Sequence, residues 1–159
     1  MRTIKSTKTW KLYGSGSYGS YYRLSRTKGI KVITCLREAK EEIEIQVKAY
    51  MKGLPVPKFY ELVKVKKGYH ITNGWGIIMQ HITGKTLTQK IGDFDDASIF
   101  FRDFLDNIVD DFAVNGIVLS DLHPNNLVAK FDIYGNIKDF TVIDFSPEWS
   151  FIERGEEVA

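Results

Sequence analysis

Residues 14–36 read GSGSYGSYYRLSRTKGIKVITCL, and the fold turns on the residues after the three glycines. Gly14, Gly16 and Gly19 stand at G-x-G-x-x-G spacing. In a dinucleotide-binding fold the third glycine opens a helix. Here Gly19 is followed by SYYR, by the turn SRTKG (Ser25–Gly29) and by the apolar, β-branched run Ile30–Leu36, which predicts a strand. The glycines therefore sit between two strands, where backbone amides can lie over phosphates. An ordinary glycine hairpin is the competing reading.

Outward from this stretch, Trp10, Leu12 and Tyr13 lead into the glycines. Residues 37–52 are rich in helix formers and put Ile43, Val47 and Tyr50 on one face; Gly53 and Pro55 stop the helix. Strands are predicted at Phe59–Val65 and Trp75–Gln80, with a turn at Lys67–Gly68. Gly84 to Asp96 reads as a connector, with a hinge near residues 80–86. From Ala97 the period changes: Phe101, Phe104, Leu105, Ile108, Val109 and Phe112 form a helical stripe that Gly116 ends. Two short strands come next, Leu127–Phe131 and Thr141–Ile143, around a turn at Tyr134–Asn136. The pattern predicts one α+β domain with two lobes, residues 1–82 and 83–159.

At 159 residues, 43% hydrophobic and 26% charged, the chain is too apolar to be disordered. Its net charge of +2 does not point to nucleic acid or to a polybasic membrane anchor. The one cysteine, Cys35, excludes an internal disulfide and fits a reducing, cytoplasmic compartment. No apolar run reaches the length of about 18 residues that a membrane span needs. The basic N-terminus has no apolar core, so no secretory signal is expected.

Four features carry candidate chemistry. The glycine loop is the first. Lys31, in the strand after it, can neutralise phosphate charge and pair with a glutamate; Lys28 competes but falls in the turn. Glu38, Glu41, Glu42 and Glu44 lie in the first helix, and counting back from Gly53 favours Glu42 as the partner of Lys31, with Glu44 the rival. The fourth is Asp121-Leu-His-Pro-Asn-Asn126, succeeded by Val142-Ile143-Asp144-Phe145. A carboxylate at Asp121 can orient and deprotonate a hydroxyl. An amide oxygen at Asn126 and a carboxylate at Asp144 suit magnesium, a hard ion that takes oxygen ligands. A plain Asp/Pro/Asn turn explains the first cluster but not the second aspartate after the next strand. His70, His81 and His123 are scattered without zinc spacing, and His123 reads as structural.

In this order the elements resemble the protein-kinase-like superfamily. GSGSYGSY resembles its glycine-rich loop and GIKVI its VAIK strand, which implies that Lys31 is the phosphate lysine. The helix with Glu42 resembles the one that carries the lysine's partner. MQHITGKTL resembles the hinge, implying Met79 as gatekeeper and Gln80–Ile82 as the adenine-binding strand. LSDLHPNNL resembles the catalytic loop, with Asp121 as base and Asn126 as a magnesium ligand; IDFS resembles DFG, with Asp144 as the other ligand.

The departures shape the expectation. Leu119 and Ser120 stand where the family has histidine and arginine, Ser146 replaces the DFG glycine, and His123 replaces a lysine. The DLHP-x-N form is similar to small-molecule and atypical kinases. Fifteen residues follow Asp144, so the expectation is a truncated C-lobe with part of the 101–112 stripe exposed, similar to the OspG/NleH-type effector kinases of enteric bacteria. The resemblance implies an ATP- and Mg²⁺-dependent kinase acting on a protein Ser or Thr in the cytoplasm, host cytosol if the chain is secreted. It also implies stimulation by a protein partner, with ubiquitin or a ubiquitin-conjugating enzyme first to consider. A pseudokinase-like module that occupies a partner is the alternative.

Overall fold

The computed structural model describes residues 1–16, 19–69 and 73–154; Ser17 and Tyr18 of the glycine loop and His70 lie outside them. The chain is α+β and divides into two compact units, Met1–Val47 with Pro57–His81, and Lys48–Val56 with Ile82–Ala159.

In the first unit, β1 (Thr3–Lys5), β2 (Lys11–Gly16), β3 (Gly19–Arg23), β4 (Lys28–Ile33), β5 (Phe59–Lys66) and β6 (Gly74–Gln80) form one sheet in the order β1-β5-β6-β4-β3-β2. Only the β1–β5 pair is parallel. One face buries Trp10, Tyr22, Ile30, Val32, Val63, Val65 and Ile78. The other packs Ile33, Ile77 and Met79 against Ala39 and Ile43 of helix α1 (Leu36–Met51). With both faces covered, β4 and β6 read as continuous apolar runs rather than alternating ones.

Two local expectations are corrected. β4 starts two residues early, at Lys28, because Lys28 and Gly29 pair with Gln80 and Met79; at the other end Leu36 opens α1 instead of closing the strand. The buried face of α1 is Ala39, Glu42, Ile45, Gln46 and Ala49, and Tyr50 is exposed. Alanines let the helix approach closely, and the two polar residues on that face have partners: Gln46 Nε2 donates to the Pro57 carbonyl at 2.8 Å, and Glu42 meets Lys31.

The second unit holds β7 (Lys85–Thr86), α2 (Leu87–Ile91), α3 (Phe94–Phe100), α4 (Arg102–Val114), β8 (Ile117–Leu119), β9 (Leu127–Phe131), β10 (Ile137–Val142) and β11 (Ser150–Ile152). Its strands form a β10-β9-β7 sheet and an antiparallel β8–β11 pair. The stretch 84–96, read as a connector, holds β7, α2 and the start of α3. Thr86 and Gln89 form a capping box on α2, and Asp93 caps α3 through the Asp96 amide. The long helix expected from Ala97 breaks at Phe101, which leaves helical geometry (φ −102°, ψ 18°). The stripe itself is buried at Phe101, Leu105, Ile108 and Phe112, and Phe104 sits edge-on to Phe140 of β10 at 5.0 Å. Exposed apolar side chains lie on α3, at Ile99 and Phe100, and at Val114, the last residue of α4. Gly116 follows α4 in left-handed conformation (φ +77°), where a side chain would be strained. No helix among the described residues is long and apolar enough to cross a membrane.

Candidate functional site

The expected site residues fall into two groups, one in each unit. In the first unit the glycine segment is a hairpin: Gly14 pairs with Tyr21 and Gly16 with Gly19. A side chain at Gly19 would meet the Val32 carbonyl, so the hairpin lies too close to β4 for any residue but glycine. Lys31 is in the middle of β4, and its Nζ stands 2.6 Å from Glu42 Oε1, with side chains 11% and 2% exposed. The partner is Glu42 rather than Glu44, which lies on the exposed side of α1. Lys28 is exposed, with its Nζ 5.1 Å over the Tyr60 ring. Gln80 ends β6 with an exposed side chain, and its Oε1 accepts from the Lys58 amide at 3.2 Å. Ile82, the first residue of this part of the second unit, is half-buried.

A buried lysine without a partner would sacrifice its charge. Glu42 keeps it, so a cation stands on a strand that the glycine hairpin adjoins. What the pair can do chemically is attract and orient an anion beside that hairpin.

In the second unit, Asp121 and His123 precede a single 3₁₀ turn, Pro124–Asn126. Asp121 is 70% exposed, and its Oδ2 is 3.2 Å from His123 Nε2. His123 packs against the Phe94 ring at 5.4 Å. Ser120, where the resemblance expects arginine, donates through both its amide and hydroxyl to the Trp149 carbonyl, at 2.7 and 2.9 Å. The turn before β11 thus anchors the loop at Ser120. A cavity of about 400 Å³ opens beside Asp121 and His123, with Phe94, Ser98, Arg102 and Asp106 among its walls.

Asn126 and Asp144 flank one end of the β9–β10 ladder. Leu127 pairs with Val142, and the Ile143 amide donates to the Asn126 carbonyl at 2.9 Å. This register brings the two oxygen-bearing residues to the same end. Asp144 Oδ1 accepts from the Ser146 amide (3.0 Å) and hydroxyl (2.8 Å). Among the described residues no group of three His, Cys, Asp or Glu could hold a metal alone. A magnesium ion carried by phosphates needs fewer protein ligands, one or two carboxylates being usual, and the Asn126–Asp144 pair fits that.

Three residues that no motif marks as a group come together in the first unit: Tyr21, Gly29 and His81. The Tyr21 hydroxyl is 2.8 Å from His81 Nδ1, the two rings are stacked at 5.8 Å, and a side chain on Gly29 would overlap the phenol. The one usable signal is an aromatic two places after the third glycine.

No protein-family model matches the chain, and no curated protein matches it.

Proposed function

We propose that the chain is a minimal ATP-dependent kinase that passes the γ-phosphoryl group of Mg-ATP to a hydroxyl, with Ser or Thr of a protein as the acceptor class. The observation that carries this reading is the buried Lys31–Glu42 ion pair beside a glycine hairpin. Surface lysines rarely pair at 2% and 11% exposure, and a charge held this way is suited to phosphate. Gly14, Gly16 and Gly19 would cover the phosphates, and Gln80 and Ile82 would meet the base through their backbone. Asn126 and Asp144 would hold magnesium, which neutralises phosphate charge when bound. Asp121 would accept the proton of the acceptor hydroxyl; its exposure beside an open cavity supports that role.

The test is transfer from radiolabelled ATP, with three chains compared. Asp121→Asn lowers transfer by about 10²–10⁴-fold and leaves nucleotide binding intact, while Asp144→Ala removes the magnesium dependence of binding. Transfer by Asp121→Asn equal to wild type would refute the base assignment.

The apolar side chains exposed on α3 favour a second reading, in which the chain binds a partner without transfer. It is selected if nucleotide binds and no acceptor is labelled. A stimulating partner would use the apolar Ile99 and Phe100 of α3, 75% and 74% exposed. Activity across a titration with ubiquitin or a ubiquitin-loaded conjugating enzyme checks that.

A further inference from the structure

We propose that Tyr21 is a displaceable plug in the nucleobase slot of the Lys31 face, held closed by its hydrogen bond to His81. The inference rests on the ATP reading and concerns residues that reading does not use.

Tyr21 and Lys31 are directly paired across β3 and β4, so their side chains share one face of the sheet. Gly29 lies two residues before Lys31, on the same face by the period of a strand and about 6.8 Å away along it. A ligand with its phosphates at Lys31 that runs along this face meets Gly29 next. Gly29 has no side chain, and the phenol of Tyr21 occupies the space that one would take. The space is therefore a slot suited to a flat ring, and the protein's own ring fills it.

The closure has a defined lock. Burial raises the pKa of the Tyr21 phenol, reinforced by Tyr13 and opposed by Arg23. The phenol is therefore neutral and shares a hydrogen bond with His81 Nδ1 at 2.8 Å, whose direction follows the imidazole tautomer. His81 is 6% exposed, and its Nε2 has no hydrogen-bond partner among the described residues. Tyr13 stands edge-on to both rings, at 6.4 Å from Tyr21 and 5.1 Å from His81. The closed arrangement thus leaves one buried ring nitrogen unsatisfied, which disfavours it. A heteroaromatic base that displaces the phenol carries donors and acceptors that can take the phenol's place at Nδ1. Tyr21 is a positioning residue in this scheme: it sets how much of the population can accept a base.

The experiment measures the affinity of wild type, Tyr21→Phe and Tyr21→Val for Mg-ATP and for magnesium tripolyphosphate, which has no base. Valine keeps a β-branched side chain in β3 and protects the strand. If the open state is a minor one, at most about 10% populated, Tyr21→Val tightens Mg-ATP by about tenfold or more. Tyr21→Phe, which keeps the ring and loses the lock, gives a smaller gain. Tripolyphosphate binds all three chains alike, a split that a merely structural role for Tyr21 would not produce. Equal Mg-ATP affinity in the three chains overturns the plug and leaves the ATP reading standing, and so does an equal gain for tripolyphosphate. No Mg-ATP binding by any chain overturns both.

Discussion

At the scale of single residues, charge burial decides most of what Lys31, Glu42 and His81 do. Glu42 is nearly inaccessible and Lys31 little more exposed, so each charge calls for an opposite one beside it. Glu42→Ala removes a charge partner from a buried ammonium and is expected to cost about 3–5 kcal/mol, read as a shift of the urea midpoint. Glu44→Ala, on the exposed side of the same helix, is expected to cost less than about 1 kcal/mol. A similar loss from both would mean that the pair does not govern this strand–helix contact. His81 is held in its neutral form by burial first and by the Arg23 charge second; the Tyr13 and Tyr21 rings also face it. Its pKa is therefore depressed below the ordinary value of about 6.5. In the unfolded chain the imidazole takes up its proton at higher pH than in the folded one. Its contribution to stability is complete above about pH 6.5 and is lost as pH falls through the lower folded value. Urea unfolding of wild type and His81→Phe over this range isolates the effect. The stability difference between the two chains should move in favour of the variant as the pH drops, and a constant difference would show that His81 titrates normally.

At the scale of elements, α4 shows how a stripe becomes a core. Phe101, Leu105, Ile108 and Phe112 are buried at successive helical steps, and Phe112 is fully inaccessible. Phe112→Ala is expected to cost about 3–5 kcal/mol by thermal or urea unfolding. Val114→Ala, at the exposed end, is expected to stay within about 0.5 kcal/mol. Such elements were legible because their periodicity ran over three turns, and the strand Leu127–Phe131 because its apolar run was bounded by turn residues. The pairing of Lys31 with the first helix was legible too, since a lysine in a β-branched strand calls for a partner. β1, β8 and β11 were not, as three residues carry no period. The buried face of α1 was misjudged for a physical reason: it uses two alanines and two hydrogen-bonded polar residues, while the larger apolar Ile43 and Val47 are only half-buried. The Tyr21–Gly29–His81 group depended on three elements meeting, which no local window contains.

At the scale of the whole chain, the net charge of +2 conceals a segregation. The first unit carries 14 Lys and Arg against 5 Asp and Glu, a formal +9; the second carries 8 against 15, a formal −7. Composition alone argued against polyanion binding, but a charge averaged over two opposite halves describes neither. Each half sets up its own field, and those fields act at a distance when salt is low. At an ionic strength of about 0.01 M the screening length is about 30 Å, and at physiological salt it falls to about 8 Å. The chain is therefore expected to be retained at pH 7 and low salt by both a cation and an anion exchanger. A protein with the same net charge spread evenly would bind the anion exchanger weakly at best. Both retentions should collapse as salt approaches physiological strength. Asp110 and Asp111 offer a clean control, being exposed near the C-terminal end of α4. Carboxylates there oppose the helix dipole, so Asp110→Asn with Asp111→Asn leaves the fold intact or slightly firmer. The double variant should elute earlier from the anion exchanger while gaining on the cation exchanger. Passage of the wild type straight through the anion exchanger at low salt would show that the acidic half presents no field of its own.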